Sequence, residues 1–218
     1  MSYELTRNRV ETYFDRTATR TWEALTSDAP VSRIRETVRK GRDEMRARML
    51  AALPADLRGA RLLDAGCGAG QMSAELAARG AEVVAVDISP ELLKVAARRL
   101  PEHLQGRVTF RAGDMLDPVH GTFDAILAMD SLIYYGPQDL DNALKGLSAR
   151  AEQTIFTVAP RTTPLMMMWY AGKLFPRSDR SPVMVPHAPK RLIARHGGRD
   201  LGRVSSGFYI SHAMEVHP

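Results

Sequence analysis

A doubly wound α/β fold on a mostly parallel sheet is predicted by three features of this 218-residue chain. Short apolar runs alternate with helical patterns from Leu62 to Val158, and strands separated by helices at that spacing form parallel sheets with right-handed crossovers. The first run, Arg61-Leu62-Leu63, opens into Asp64-Ala-Gly66-Cys67-Gly68-Ala-Gly70, with glycine at every second position. The last run, Val204 to Val216, is rich in strand formers and broken at Gly207, which predicts a closing antiparallel pair. Five core runs and that pair make seven strands.

The elements follow in order. Residues 1–54 read as helices. Val10, Tyr13, Phe14 and Ala18 recur at helical spacing, Trp22 and Leu25 continue the stripe, and Asp28-Ala29-Pro30 breaks it. A second helix is predicted from Ser32, a capping residue, to Leu53, with Pro54 ending it. The core, residues 55–159, sets a helix from Gln71 to Arg79 after the glycine loop. The run Val83-Val84-Ala85-Val86 then ends in Asp87, and Pro90 starts a helix reaching Leu100. Val108-Thr109-Phe110 leads to Gly113-Asp114-Met115, Phe123 to Ala128 delivers Asp130 at its tip, Pro137 opens a helix to Ala149, and Thr154–Val158 is the fifth strand. Residues 160–189 depart from the rhythm, with six of the thirteen prolines and the apolar patch Leu165-Met166-Met167-Met168-Trp169-Tyr170. A cap over the sheet edge is the natural reading. Residues 190–218 supply the closing strands, and the whole is read as one domain.

Composition narrows the class. Hydrophobic residues at 44% and charged residues at 25% are globular values, with room for a full core. The net charge of +5, mostly from arginine, would attract acidic substrates, anionic lipid or nucleic acid. No basic stripe interleaved with aromatics is present, which sets nucleic acid aside. The single Cys67 excludes an internal disulfide and fits a reducing compartment. With no signal-peptide pattern at the start and no apolar run of spanning length, a cytoplasmic location is expected. His187 and His196 stand alone in a basic segment and read as surface residues, so no protein metal site is expected.

The glycine loop carries the chemistry. Bare backbone lets a ligand approach closely, and the following helix aims its unpaired N–H groups and positive dipole end at the same place. Asp87, 23 residues beyond Asp64, can accept hydrogen bonds from both ribose hydroxyls. A nucleoside cofactor follows. Dinucleotide sites space the third glycine one residue further; Gly66-x-Gly68-x-Gly70 behind an acid suits S-adenosylmethionine, which has an amino-acid end in place of a pyrophosphate. Asp64 would sit near the ammonium, loop N–H groups would face the carboxylate, and Cys67 would be a small apolar neighbour. Asp114 would bond the adenine amino group and Met115 cover the ring, while Asp130 lies where the methyl group projects. For the acceptor, a methionine-rich patch beside Arg161, Arg177 and Arg180 would hold a large hydrophobic acid. The same patch also reads as an ordinary buried helix or as a membrane-touching one.

Beyond these residues, the chain resembles the magnesium-protoporphyrin O-methyltransferases over its full length. The shared segments are Tyr13-Phe14-Asp15-Arg16-Thr17-Ala18, Thr26-Ser27-Asp28, Val38-Arg39-Lys40-Gly41-Arg42, Asp64–Gly70, Val86-Asp87-Ile88-Ser89, Gly113-Asp114-Met115, Ala128–Tyr135, Leu174–Arg177 and Gly207–Ser211. The opening hexapeptide, Ser131–Tyr135 and Gly207–Ser211 are the family-specific parts, and the pattern is that of the purple-bacterial branch. The resemblance implies a Rossmann-like class I methyltransferase that esterifies one propionate of Mg-protoporphyrin IX in bacteriochlorophyll and chlorophyll synthesis. It implies a methyl donor held by Tyr13, Arg39, Asp64, Gly66, Cys67, Gly68, Gly70, Asp87, Ile88, Asp114, Met115, Asp130 and Ser131. It implies an acceptor region of Tyr134, Tyr135, Arg161, Met167, Trp169, Arg177 and Tyr209. Magnesium would arrive inside the substrate, the large subunit of magnesium chelatase is an implied partner, and peripheral contact with the photosynthetic membrane an implied location.

One departure matters. Cyanobacterial and plant relatives carry a His after the Leu-Ile pair and a Tyr shortly after the N-terminal Trp, both implicated in catalysis; here Tyr134 and Thr26 stand there. Tyr134, Asp130 and Thr26 are therefore the catalytic candidates, and a His base is not assumed. A propionate, with a carboxyl pKa of about 4–5, is already ionised at neutral pH and needs only alignment. The alternatives are a methyltransferase for a quinone or lipid, which would need a positioned base, and a non-catalytic protein that binds S-adenosylmethionine or porphyrin.

Overall fold

Parallel pairing begins at β1 (Arg61–Ala65), which lies between β2 (Glu82–Asp87) and β4 (Phe123–Ala128). The computed structural model describes residues 3–15, 32–162, 166 and 182–218. Thr26, Met167, Trp169 and Arg177 from the sequence reading lie outside the described residues, as do Trp22, Arg180 and most of the cap. With β3 (Val108–Ala112), β5 (Ala151–Val158), β6 (Arg199–Ser206) and β7 (Tyr209–Val216), the described strands form one sheet in the order β3-β2-β1-β4-β5-β7-β6. The first five are parallel, and β7 runs antiparallel between β5 and β6. Strand order reverses between β1 and β4, and ligands bind at the carboxyl edge of such a reversal.

Strands β1, β2 and β4 are apolar along their length because both faces are covered. Leu62 and Leu127 point into a core shared with Met45, Met49 and Leu76. Leu63 and Ile126 enter the opposite core with Leu140, Leu144 and Leu147. Those residues belong to α2 (Arg33–Leu50), α3 (Gln71–Ala78) and α5 (Pro137–Ser148); α1 (Tyr3–Tyr13), α4 (Pro90–Arg99) and α6 (Pro189–His196) complete the described helices. Proline opens α4, α5 and α6 where its missing N–H would be unpaired anyway. The Ser32 hydroxyl caps α2 and the Ser89 hydroxyl caps α4.

Two expectations need correction. The closing pair begins at Arg199 rather than Val204, because β6 is a polar, bulged edge strand whose early residues hide the strand signal. His187 and His196 are not surface residues. His187 is buried, with Nε2 3.0 Å from the Tyr135 carbonyl oxygen, and burial lowers its pKa so that the neutral ring is favoured. It pins the returning chain at Pro182–Ala188 against the end of β5, where Pro160 bridges it and Val185 N–H donates to Ile133. The His196 side chain is 9% exposed and meets the buried Asp141, as do Lys145 and Arg195, tying α6 to α5.

Candidate active site

Where β1, β2 and β4 end, about 1050 Å³ of empty space opens between the strand tips and the N-terminal helices. The glycine loop forms its floor. Gly66 and Cys67 N–H groups both donate to the Val86 carbonyl (2.8 and 3.0 Å), tying the loop to β2. Gly66 has φ +81, and a Cβ there would lie 2.3 Å from the Ser131 Cβ. Gly70, at φ +79, opens α3 and would bring a Cβ within 2.8 Å of Ala96 on α4. Gly70 is thus a packing residue outside the cavity lining, whereas Gly66, Cys67 and Gly68 line it.

Three carboxylates stand round this floor. Asp87 ends β2, where its Oδ2 accepts the Gly68 N–H (2.7 Å) and its Oδ1 the Ser89 N–H (2.9 Å). Burial raises its pKa to about 6 despite both bonds. Asp64, 2% exposed, accepts the Ser73 hydroxyl at 2.5 Å, and burial with the nearby Asp87 charge raises it to about 7. The same burial and both carboxylates push the Cys67 thiol upward, so it stays protonated. Asp114 follows β3 and accepts from the Tyr3 hydroxyl (2.6 Å), the Arg7 guanidinium (3.2 Å) and Leu116 N–H (2.8 Å). His120 Nε2 lies 2.9 Å from its carbonyl, and Arg150 donates to Met115 (3.0 Å) and Asp117 (2.7 Å) carbonyls, which brace the loop.

At the β4 tip, Asp130 is the one non-glycine with positive φ among the described residues, at +56. Such a backbone persists only when its surroundings over-determine it, and it clusters at functional sites. Here Arg42 pairs with Oδ2, Tyr209 O–H reaches both oxygens at 3.1 Å, and Ser211 (3.2 Å) and Thr157 (3.1 Å) hydroxyls donate to Oδ1. Asp130 N–H donates back to Thr157 Oγ1 at 2.7 Å. Gly41 makes this possible: a Cβ there would sit 2.6 Å from Tyr209 Cδ1, so only glycine lets α2 abut the β7 hairpin. Beside it, the buried Ser131 hydroxyl finds no partner among the described residues.

The acceptor side is aromatic. Tyr134 and Tyr135 line the cavity; the Tyr3 ring stacks on Tyr135 at 4.9 Å and Phe14 meets Tyr134 edge-on at 6.3 Å. Burial, then the Asp130 charge, hold the Tyr134 phenol far above its ordinary pKa, and burial lifts Tyr135 to about 12. Both are neutral hydrogen-bonding groups near pH 7.

Of the sequence-predicted residues, Asp64, Gly66, Cys67, Gly68, Asp87, Ile88, Asp114, Met115, Asp130, Ser131, Tyr134 and Tyr135 converge on this one cavity. Tyr13 lies beside it, its ring edge-on to Phe14 at 5.2 Å. Arg39 and Tyr209 are outside the lining, Tyr209 with its hydroxyl on Asp130. Arg161 is exposed and donates from Nε to the Pro186 carbonyl. Four lining residues were missed: Tyr3, Arg7, Arg42 and Arg46. Tyr3, Arg7, Val10 and Phe14 recur at helical spacing, so extending the predicted stripe backward one step finds the first pair. Arg42 follows the mid-helix glycine that marks close packing. Among the described residues no cluster of His, Cys, Asp and Glu could hold a metal, and no helix is long and apolar enough to cross a membrane.

Comparison with known proteins agrees with this site. Residues 128–218 match the profile of the magnesium-protoporphyrin IX methyltransferase C-terminus, and residues 62–152 match a general methyltransferase domain. A magnesium-protoporphyrin O-methyltransferase from Rhodobacter capsulatus is 57% identical over 99% of this chain and 98% of that protein. Its namesake from Synechocystis is 30% identical over 95% and 94%. The crystal structure of a Synechocystis magnesium protoporphyrin IX methyltransferase with bound SAH superposes with a TM-score of 0.81 at 28% identity, covering 97% of this chain and all of that one. A sheet of this order, the cofactor loop at its reversal point and full-length identity at that level together assign the chain: it belongs to the magnesium-protoporphyrin O-methyltransferase family.

Proposed function

We propose that this protein catalyses methyl transfer from S-adenosylmethionine to a propionate carboxylate of Mg-protoporphyrin IX, giving the monomethyl ester and S-adenosylhomocysteine. The residues present fit that cofactor. Asp87 keeps one lone pair on each oxygen for the two ribose hydroxyls after its backbone bonds. The Ser131 hydroxyl awaits a partner, and a Cβ at Gly68 would meet nothing within 4 Å, leaving the loop backbone open to a ligand. Asp114 and Met115 flank the place for adenine. When bound, the cofactor supplies an electrophilic methyl group on sulfur.

The observation that carries the acceptor class is the absence of an available base at the lining's acceptor side. Tyr134 is a buried phenol kept neutral, and Asp130 is spent on Arg42 and three hydroxyls. A quinol or lipid hydroxyl would need a base there; a propionate brings its own charge. What the protein must do is hold that carboxylate about 3 Å from the methyl, in line, and keep water out. Tyr134 and Tyr135 are the residues we assign to orienting it, with Asp130 and Ser131 below the reacting sulfur. Thr26, Arg161, Met167, Trp169, Arg177 and Tyr209 remain assigned to the acceptor region. Delivery of the pigment by the large subunit of magnesium chelatase, and peripheral contact with the photosynthetic membrane, belong to the same proposal; the net charge of +5 supports attraction to acidic surfaces.

The test is methyl transfer from labelled cofactor to Mg-protoporphyrin IX by the purified protein. The monomethyl ester is expected, with a turnover rate at saturating cofactor that is flat from pH 6 to 9. Porphyrin binding without ester formation would make the protein a carrier, and methylation of a quinol instead would overturn the acceptor assignment.

A further inference from the structure

The Arg42–Asp130 ion pair is a feature that no assigned role absorbs. Both members line the cavity, the side chains are 16% and 9% exposed, and they come from opposite walls, α2 and the β4 tip. An ion pair placed this deep is seldom a net source of stability, since the desolvation of both charges offsets their attraction. Arg42 is nonetheless aimed with care, since Gly41 brings α2 hard against Tyr209. Asp130 is aimed with equal care by Tyr209, Ser211 and Thr157 and by a left-handed backbone. The cofactor's amino-acid end carries opposite charges on one carbon, so a matched cation and anion facing it complement it as one dipole complements another. The sequence reading gave the ammonium to Asp64. That carboxylate, however, is 2% exposed and already accepts Ser73, a poorer position for a direct contact with a cation.

We propose that Arg42 and Asp130 together form the receptor for the methionyl end of the cofactor, Arg42 taking its carboxylate and Asp130 its ammonium. In the ligand-free protein the two side chains neutralise each other. In the complex the zwitterion replaces that direct contact, and no charge is left unpaired in either state. The inference rests on the cofactor reading and extends it to a residue the sequence reading passed over.

The experiment is calorimetric titration of the full chain with three probes: S-adenosylhomocysteine, decarboxylated S-adenosylmethionine and 5′-methylthioadenosine. The last keeps the nucleoside and lacks the amino acid. Arg42→Met should weaken S-adenosylhomocysteine by about 10- to 100-fold, the worth of a charge-assisted bond. It should leave the decarboxylated ligand and 5′-methylthioadenosine within about twofold of wild type, a difference too small to represent a charged contact. Arg42→Lys should restore most of the loss. Asp130→Asn, which keeps the shape and tolerates positive φ, should weaken both ligands that carry the ammonium and spare 5′-methylthioadenosine. Retained binding of 5′-methylthioadenosine also shows that each variant is folded. Equal loss on all three probes would reduce the pair to a structural brace and overturn the proposal. Unchanged S-adenosylhomocysteine affinity in Arg42→Met with a raised KM for the porphyrin would move Arg42 to the acceptor and overturn it too. Failure of the wild-type protein to bind any of the three would instead strike the cofactor reading beneath it.

Discussion

Replacing Asp87 with Asn keeps the volume of the side chain and removes its charge at the point where β2 ends. The carboxylate accepts Gly68 N–H on one oxygen and Ser89 N–H on the other, at 2.7 and 2.9 Å, which leaves one lone pair per oxygen. A ribose diol uses both. Asn has a single acceptor oxygen, so one backbone N–H is left facing an amide NH2, a cost of about 1–3 kcal/mol for an orphaned buried donor. The diol loses one charge-assisted bond worth about 1.5–3 kcal/mol and keeps a weaker neutral one. At 1.4 kcal/mol per tenfold, the dissociation constant for S-adenosylhomocysteine should rise by about 10- to 100-fold. The decisive assay is a cycle with the 2′-deoxy ligand. In the wild-type protein, loss of that hydroxyl should weaken binding by about tenfold or more, and in Asp87→Asn the further loss should nearly vanish. If both proteins lose the same factor, Asp87 does not meet the ribose and the orientation of the cofactor given above is wrong.

Binding should depend on pH. In the ligand-free protein Asp87 titrates at about 6 and Asp64 at about 7, above the ordinary carboxylate value, so protons are held that the ionised, ligand-bound forms release. Affinity for S-adenosylhomocysteine should therefore climb from pH 5.5 to 8, with proton release seen by calorimetry in two buffers; a flat profile would refute this. Gly66→Ala puts a Cβ 2.3 Å from Ser131 on a backbone at φ +81, whereas Gly68→Ala meets nothing within 4 Å. Urea unfolding should show the first destabilised by several kcal/mol and the second by about 1–2, the cost of the left-handed conformation alone, while both lose cofactor affinity. Tyr134→Phe should lower turnover by no more than about tenfold and leave the pH–rate profile unchanged, since the buried phenol is no base. A basic limb that disappears in this variant would show the opposite. Leu144→Ala, deep in the core under α5, should cost about 2–5 kcal/mol by urea titration.

Most of the scaffold was legible because its signals are local. Loss of side chains at Gly66 and Gly68, a proline at the first turn of three helices and apolar runs ending in acids are written residue by residue. The carboxylates at 64, 87, 114 and 130 were found because each follows a strand whose periodicity is plain. What escaped depends on contacts far apart in the chain. Arg42 reaches Asp130 across 88 positions and Tyr3 reaches Asp114 across 111. Neither partner marks the other in the sequence, and Arg39, three residues earlier on the same helix, was the wrong choice by less than a turn. His187 was misread because a lone histidine among prolines and cations gives no hint that Tyr135 and Ala159 bury it. The start of β6 was missed because edge strands are deliberately polar.

Tyr3 has a practical consequence for handling this protein. Its hydroxyl rests on the acid assigned to adenine and its ring on Tyr135, so anything grafted just ahead of it sits at the doorway of the cofactor. An affinity handle fused there should alter donor affinity on its own account, and kinetic constants from such a preparation would describe the handle as well as the enzyme. Fusion after Pro218 avoids this. Strand β7 runs against β5 and finishes at the far pole of the sheet, where a purification tail or fluorophore hangs clear of the chemistry.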